Sequence, residues 1–162
     1  MLRAERVERA GHWPRVEARS TVTLTYDDRH RRRLRLTSDE GEPFLLDLPR
    51  AGVLDDGDGL ALSDGTWIAV RAAPETLLEI TARDASTLTR LAWHIGNRHL
   101  PAQIESARIL IRDDHVIASM LEGLGAHLVK IEAPFTPERG AYENPAANGL
   151  THHHHNGDHG HH

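Results

Sequence analysis

The chain has 162 residues, enough for one ordinary domain or two small ones; 39% are hydrophobic but only 4% aromatic, so any core is aliphatic and modest. A formal net charge of −5 with histidine neutral argues against nonspecific nucleic-acid binding as the main activity. The sequence has no cysteine, which excludes disulfides, thiolate metal sites, iron–sulfur clusters and a cysteine nucleophile, and leaves imidazole as the softest strong ligand, one suited to nickel, copper, zinc or iron.

Residues 1–20 are charged throughout and carry no apolar signal-peptide core, and no run approaches the ~18 apolar residues of a membrane span. The expectation is a soluble cytoplasmic protein. Up to about residue 72 the pattern is β. Val22, Leu24 and Tyr26 alternate with threonines as a half-buried strand, and Asp27-Asp28 marks a turn. Arg33-Leu34-Arg35-Leu36 alternates next, Ser38 to Gly41 turns, and Phe44 to Leu48 is a strand closed by Pro49. Leu60 and Leu62 lead through the Asp64-Gly65 hairpin turn to Trp67–Val70. Short strands with no helical pattern predict a small barrel or sandwich. The run Arg29-His30-Arg31-Arg32-Arg33 reads as a solvated strand edge and not as a nucleic-acid patch. Asp55 to Gly59 reads as a turn, because a calcium loop started there lacks its terminal glutamate. Neither Gly57-Asp58-Gly59 nor Gly123-Leu124-Gly125 has the third glycine of a dinucleotide fingerprint.

Ala72-Ala73-Pro74-Glu75 is the expected domain joint. Beyond it Leu77–Ile80 reads as a short strand, and Asp84 or Ser86 caps a helix running to His99. Ala102–Ser106 and Arg108–Ile111 read as two strands. Asp113 or Asp114 caps a second helix whose face is Val116, Ile117, Met120, Leu121 and Leu124, with Gly125 as its terminator. His127–Ala133 is the last strand, stopped by Pro134. The fold class is therefore α+β. A small β-rich domain (1–73) precedes a βαββαβ, ferredoxin-like domain (74–135), and residues 136–162 form a linker and a disordered histidine-rich tail.

Two stretches carry chemistry. In the first, Leu88, Leu91, Ala92 and Ile95 recur at helical spacing, and His99 falls next on that face. His94 lies about 140° around the helix from it, so the two cannot chelate one ion from one face. Pro101 pushes Leu100 out of the α region and stops the helix near His99. His99 alone is either a satisfied core histidine or a metal ligand at an apolar interface. The second stretch supplies the context: seven of the thirteen histidines, His152, His153, His154, His155, His159, His161 and His162, lie in the last residues. No apolar residue accompanies them, so the composition is that of a metal binder. Asn156, Gly157, Asp158 and Gly160 interrupt the run, unlike an engineered tag.

The segment His94-Ile95-Gly96-Asn97-Arg98-His99-Leu100-Pro101, followed by Gln103, resembles the signature of the urease accessory protein E family, the nickel metallochaperones of urease assembly. The β-rich half, the ferredoxin-like half and the tail match in order, so the resemblance covers nearly the whole chain. It implies a first domain similar to the peptide-binding β domains of chaperones, and a second domain that carries the metal site and forms a homodimer. It also implies that His99 meets its symmetry mate and binds Ni²⁺ between them, with zinc or copper able to substitute in vitro. The partners it implies are the urease GTPase accessory protein and the apo-urease complex; membrane and nucleic acid are not among them. Some members carry two histidines at the start of the second helix. Here His115 fits one position and Asp113 stands at the other, an imidazole beside a carboxylate.

The residues agree on physical grounds. One imidazole cannot hold a nickel ion, but a two-fold interface presents His99 twice, and the tail adds imidazoles at high effective concentration. The expectation is nickel delivery for urease assembly; the alternative is a nickel or zinc buffer with no delivery partner. A metal-dependent hydrolase would need three ligands, an open position and a general base. No His-Glu-x-x-His and no Gly-x-Ser-x-Gly occurs, so no enzyme is expected.

Overall fold

The structure, a computed structural model, describes residues 1–140. The first domain is one six-stranded mixed sheet built from β1 (Leu2–Glu8), β2 (Ala18–Leu24), β3 (Arg33–Thr37), β4 (Pro43–Asp47), β5 (Gly59–Leu62) and β6 (Trp67–Ala72), in the order β2-β6-β5-β1-β4-β3. The pairs β1–β4 and β2–β6 are parallel and the others antiparallel. Inward residues of all six strands, among them Ala4, Val22, Leu36, Leu46, Leu60 and Ile68, meet in one aliphatic core. Each fully buried leucine or isoleucine there contributes roughly 1.5–3 kcal/mol. Strand β1 escapes the sequence pattern because its alternation is carried by charged residues on the open face, with Ala4 the one fully buried position.

Two expectations in this half are corrected. Asp27-Asp28 does not simply turn the chain: Tyr26–Arg29 forms a one-turn helix, α1, whose N-cap Thr25 accepts the Asp28 N–H. The arginine run is not uniformly solvated either. Arg33 and Arg35 face outward, but Arg29 is completely buried. Its guanidinium donates to Leu54 O (3.3 Å) and to Phe135 O, and so joins the two halves of the molecule. Burial pulls its pKa down, and Glu75, Asp55 and Asp56 push it back up. The loop at Asp55–Gly59 is closed by a buried carboxylate, Asp58, which accepts from Arg9 (2.5 Å), from Asp55 N (2.8 Å) and from Ala10 N (3.2 Å). A turn is what the sequence led one to expect there.

The second domain begins at once: β7 (Pro74–Thr81) follows β6 with Ala73 between them. Helix α2 (Ala85–Asn97), β8 (Gln103–Ile104), β9 (Ile109–Arg112), α3 (His115–Gly123) and β10 (His127–Pro134) complete the βαββαβ order. The sheet is antiparallel in the order β10-β7-β9-β8, the ferredoxin-like arrangement. Leu78, Ile80, Ile109 and Ile111 face the helices and pack on Leu91, Ile95, Ile117 and Leu121. The opposite face carries Leu77 and Leu110, and Phe135, just past β10, packs under them with Tyr26 of α1 alongside. That second face is the joint between the domains. Arg112 pairs with Asp27 across it (2.8 Å), and Tyr26 N donates to Glu75 (2.8 Å). Among the described residues no helix is long and apolar enough to cross a membrane.

Candidate metal centre

Helix α2 starts at Asp84, whose carboxylate accepts the Thr87 N–H (2.7 Å), and it buries Leu91 and Ile95 against the sheet. It does not reach His99. The helix ends at Asn97 and Arg98 is its C-cap. His99 N then donates to Gly96 O (3.0 Å) and Leu100 N to Ile95 O (3.3 Å). These two bonds define a Schellman termination, in which the residue after the cap takes a left-handed backbone and the next apolar residue folds back on the last turn. His99 has φ +59°, and it is the one described residue other than glycine with positive φ. Leu100 packs into the core that contains Ile95. The face extrapolation from Ile95 to His99 therefore fails by one residue: His99 steps off the helical path and its side chain is exposed.

Helix α3 supplies an internal control. It too closes with a Schellman pair, Gly125 N to Glu122 O (3.0 Å) and Ala126 N to Leu121 O (3.0 Å), but its left-handed residue is Gly125 at φ +96°. The backbone there favours glycine, which has no Cβ to clash. At the matching position of α2 the chain carries an exposed imidazole. Within the helix Trp93 is 63% exposed, and half-buried His94 packs its ring edge-on to that indole at 5.1 Å.

His115 is the first residue of α3 and is also exposed. Of the two carboxylates before it, Asp114 is the N-cap and accepts from Val116 N (2.9 Å) and Ile117 N (3.1 Å), while Asp113 pairs with Lys130 (3.3 Å). Asp113, Asp114 and His115 line one groove with Glu122 and Lys130. A cation entering it would compete with the Lys130 ammonium. On the other side, Asp113 and Asp114 face Leu100 and Pro101 across a cleft of about 350 Å³, which brings the loop after His99 close to the start of α3. Among the described residues, no three histidine or carboxylate side chains converge as a metal cluster. His152, His153, His154, His155, His159, His161 and His162 lie outside the described residues.

One part of the site was not foreseen. After β10 the chain does not leave the fold. Thr136 N donates to the side-chain oxygen of Gln103 (2.9 Å), Glu138 N to Ala102 O (2.7 Å), and Arg139 pairs with Asp55 of the first domain. Residues 135–139 are thus a strap that crosses under the sheet and ends beside the segment following His99. The sequence suggests a strand stopped by Pro134 and a linker from residue 136 on, and residues 136–139 are instead held against the fold.

Comparison with known proteins gives the family. Residues 4–73 match the family model of the UreE urease accessory protein N-terminal domain, and residues 75–162 that of its C-terminal domain. The chain belongs to the UreE family of urease accessory proteins. A urease accessory protein UreE of Rhodopseudomonas palustris (strain HaA2) is 55% identical over 152 residues, 94% of this chain and 70% of the relative. One from Chelativorans sp. (strain BNC1) is 58% identical over 133 residues, 82% and 84% of the two chains. One from Ruegeria pomeroyi is 51% identical over 146 residues, 90% and 95%. The UreE assignment supports a role in urease maturation, and the family is named as an accessory to urease.

Proposed function

We propose that this protein is a nickel metallochaperone: it binds Ni²⁺ and hands it on for assembly of the urease active site. The observation that carries this is His99, an exposed imidazole held in a left-handed position that the matching end of α3 gives to glycine. A backbone cost borne at an exposed side chain points to a function for that side chain. One imidazole is too few donors, so the tight site forms where two chains meet. Trp93, exposed on the same helix, is apolar surface such a contact would cover, and a two-fold axis at the helix end brings two His99 rings together. The seven tail histidines supply further donors. His115 and Asp113 form at most a weak second site, because Lys130 already neutralises Asp113. The cargo passes in the cytoplasm to the urease GTPase accessory protein and the apo-urease complex.

The test is nickel titration by calorimetry with native mass spectrometry, which counts protomers and ions together, followed by activation of apo-urease. The expected result is a dimer whose tightest nickel site disappears in His99→Ala, with activation impaired. A protein that stays monomeric at every concentration and metal load refutes the dimer. Retention of the tight site in His99→Ala refutes the ligand. Nickel binding without any gain in urease activation leaves a buffer instead of a chaperone.

A further inference from the structure

We infer that the open edge of strand β10 pairs with β10 of a second copy of this chain, in a register set by Lys130 and Glu132. The contact is separate from His99 and does not need the nickel site. Strand β10 runs for 8 residues, pairs along its length with β7 and, among the described residues, has no strand on its other side. Such an edge offers a row of unpaired N–H and C=O groups to any strand that fits. Other edges are shorter or closed. Strand β8 has 2 residues, and the strap binds beside it at Ala102 O. In the first domain Asp39, in the turn after β3, closes on β2: its N–H donates to Thr21 O (2.8 Å) and its carboxylate accepts the Thr23 N–H (3.2 Å).

Two prolines fix which groups of β10 face outward. Pro134 stands opposite Pro74. Neither has an N–H, so this is a non-hydrogen-bonded pair, whose carbonyls point away from each other. Alternation then turns the N–H and C=O of Glu132, Lys130 and Leu128 to the open edge. Thr76, opposite Glu132, agrees with that phase: its carbonyl points away from β10 and accepts the Asp113 N–H (3.3 Å). Lys130 and Glu132 lie on the face that carries Leu78 and Leu128 toward the helices, and both are exposed. In antiparallel self-pairing centred on Ile131, Lys130 of each copy falls opposite Glu132 of the other. About six backbone hydrogen bonds form in that register, and Pro134 sits at its end. Shifting the two-fold centre to Lys130 or to Glu132 sets like charges opposite each other, and wider shifts bring no unlike charges together. The Lys130 ammonium, 70% exposed, already meets Asp113 (3.3 Å), and Glu132 accepts from the Thr76 hydroxyl; both groups keep capacity for a second partner. A lysine on an edge strand ordinarily deters pairing. With Glu132 two residues on, it selects a copy of itself. The contact covers little apolar surface, so it is weak and grows with protein concentration.

The experiment is amide hydrogen exchange by NMR on the full metal-free chain at low and high protein concentration, with sedimentation alongside. Rising concentration should slow exchange at Leu128, Lys130 and Glu132 and leave Val129, Ile131 and Ala133, already bonded to β7, unchanged. Lys130→Glu and Glu132→Lys, each alone, should weaken self-association roughly tenfold, because both cross-strand pairs become like-charged. An equimolar mixture of the two variants makes every pair unlike again and should restore both association and protection. Exchange at the three outward amides that ignores concentration overturns the inference, and this measurement needs no variant to fold. A mixture that associates no better than either variant alone overturns it too. Self-association that slows exchange only on α2 belongs to the His99 contact and counts against β10. Loss of the His99 site, seen as nickel affinity unchanged in His99→Ala, leaves the β10 contact standing.

Discussion

The two Schellman endings allow the cost of His99 to be measured directly. The perturbation is a pair of reciprocal changes, His99→Gly and Gly125→His. A left-handed backbone costs an L-residue about 1–2 kcal/mol. Glycine removes that cost but adds back roughly 0.5–1 kcal/mol through its greater freedom in the unfolded chain. His99→Gly is therefore expected to stabilise the metal-free protein by about 0.5–1 kcal/mol, since the exposed imidazole has little packing to lose. For a chain of this size that raises Tm by about 1–4 °C. In the reverse change, a Cβ at Gly125 would lie 3.7 Å from Thr87 Cγ2, an ordinary contact. The obstacle is the backbone: φ +96° lies beyond the roughly +50 to +70° region open to other residues. Gly125→His should destabilise by at least about 1 kcal/mol. The assay is urea and thermal unfolding in chelator at fixed protein concentration, so that self-association does not shift the comparison. If His99→Gly instead lowers stability, the imidazole makes contacts that offset its strain, and its position is structural rather than functional.

Three further outcomes are expected. Removing residues 151–162 should leave Tm unchanged and lower the number of nickel ions bound per dimer; a truncated protein that unfolds, or that binds the full complement by native mass spectrometry, contradicts this. Arg29→Met should cost about 3 kcal/mol or more, because it strips the buried donor from Leu54 O and Phe135 O and removes the cation nearest Glu75; a loss below about 1 kcal/mol in urea would show that the joint does not depend on it. Nickel affinity should fall as pH is lowered, because protons compete with the metal for the imidazole lone pairs, while the fold persists. The carboxyls of Asp84, held by Thr87, and of Glu105, held by Arg108, lie below the ordinary carboxylate range, and hydrogen bonds from Thr21 and Thr23 outweigh desolvation to lower Asp39 as well. Stability from such groups is present above the unfolded carboxyl pKa of ~4 and is lost only as pH falls through the lower folded values. Tryptophan fluorescence that reports unfolding between pH 7 and 5 would refute the separation of the two events.

What the sequence made legible was local. The strand at Val22 and Leu24, the hairpin at Asp64-Gly65, the helix starts to within two candidate caps each (Asp84 or Ser86, Asp113 or Asp114) and the Gly125 terminator all follow from periodicity and turn chemistry within a few residues. The βαββαβ order followed from their succession. The features it hid depend on contacts between distant parts of the chain. Arg29 sits in a run of arginines and differs from them only because Leu54 and Phe135, 25 and 106 residues away, offer it carbonyls. Gln103 was visible as part of the motif, but its partner Thr136 lies 33 residues on, in a stretch whose composition suggests a linker. His99 is a different case, because its position depends on local sequence. Gly125 was recognised as a terminator by its identity, and it is followed by apolar Ala126. His99 is followed by apolar Leu100 and then by Pro101, the same succession with a proline behind it. Histidine is one of the few residues besides glycine that tolerates a left-handed backbone. The succession shared by the two helix ends puts His99 beyond the helix, exposed, in a position that glycine would fill at lower cost.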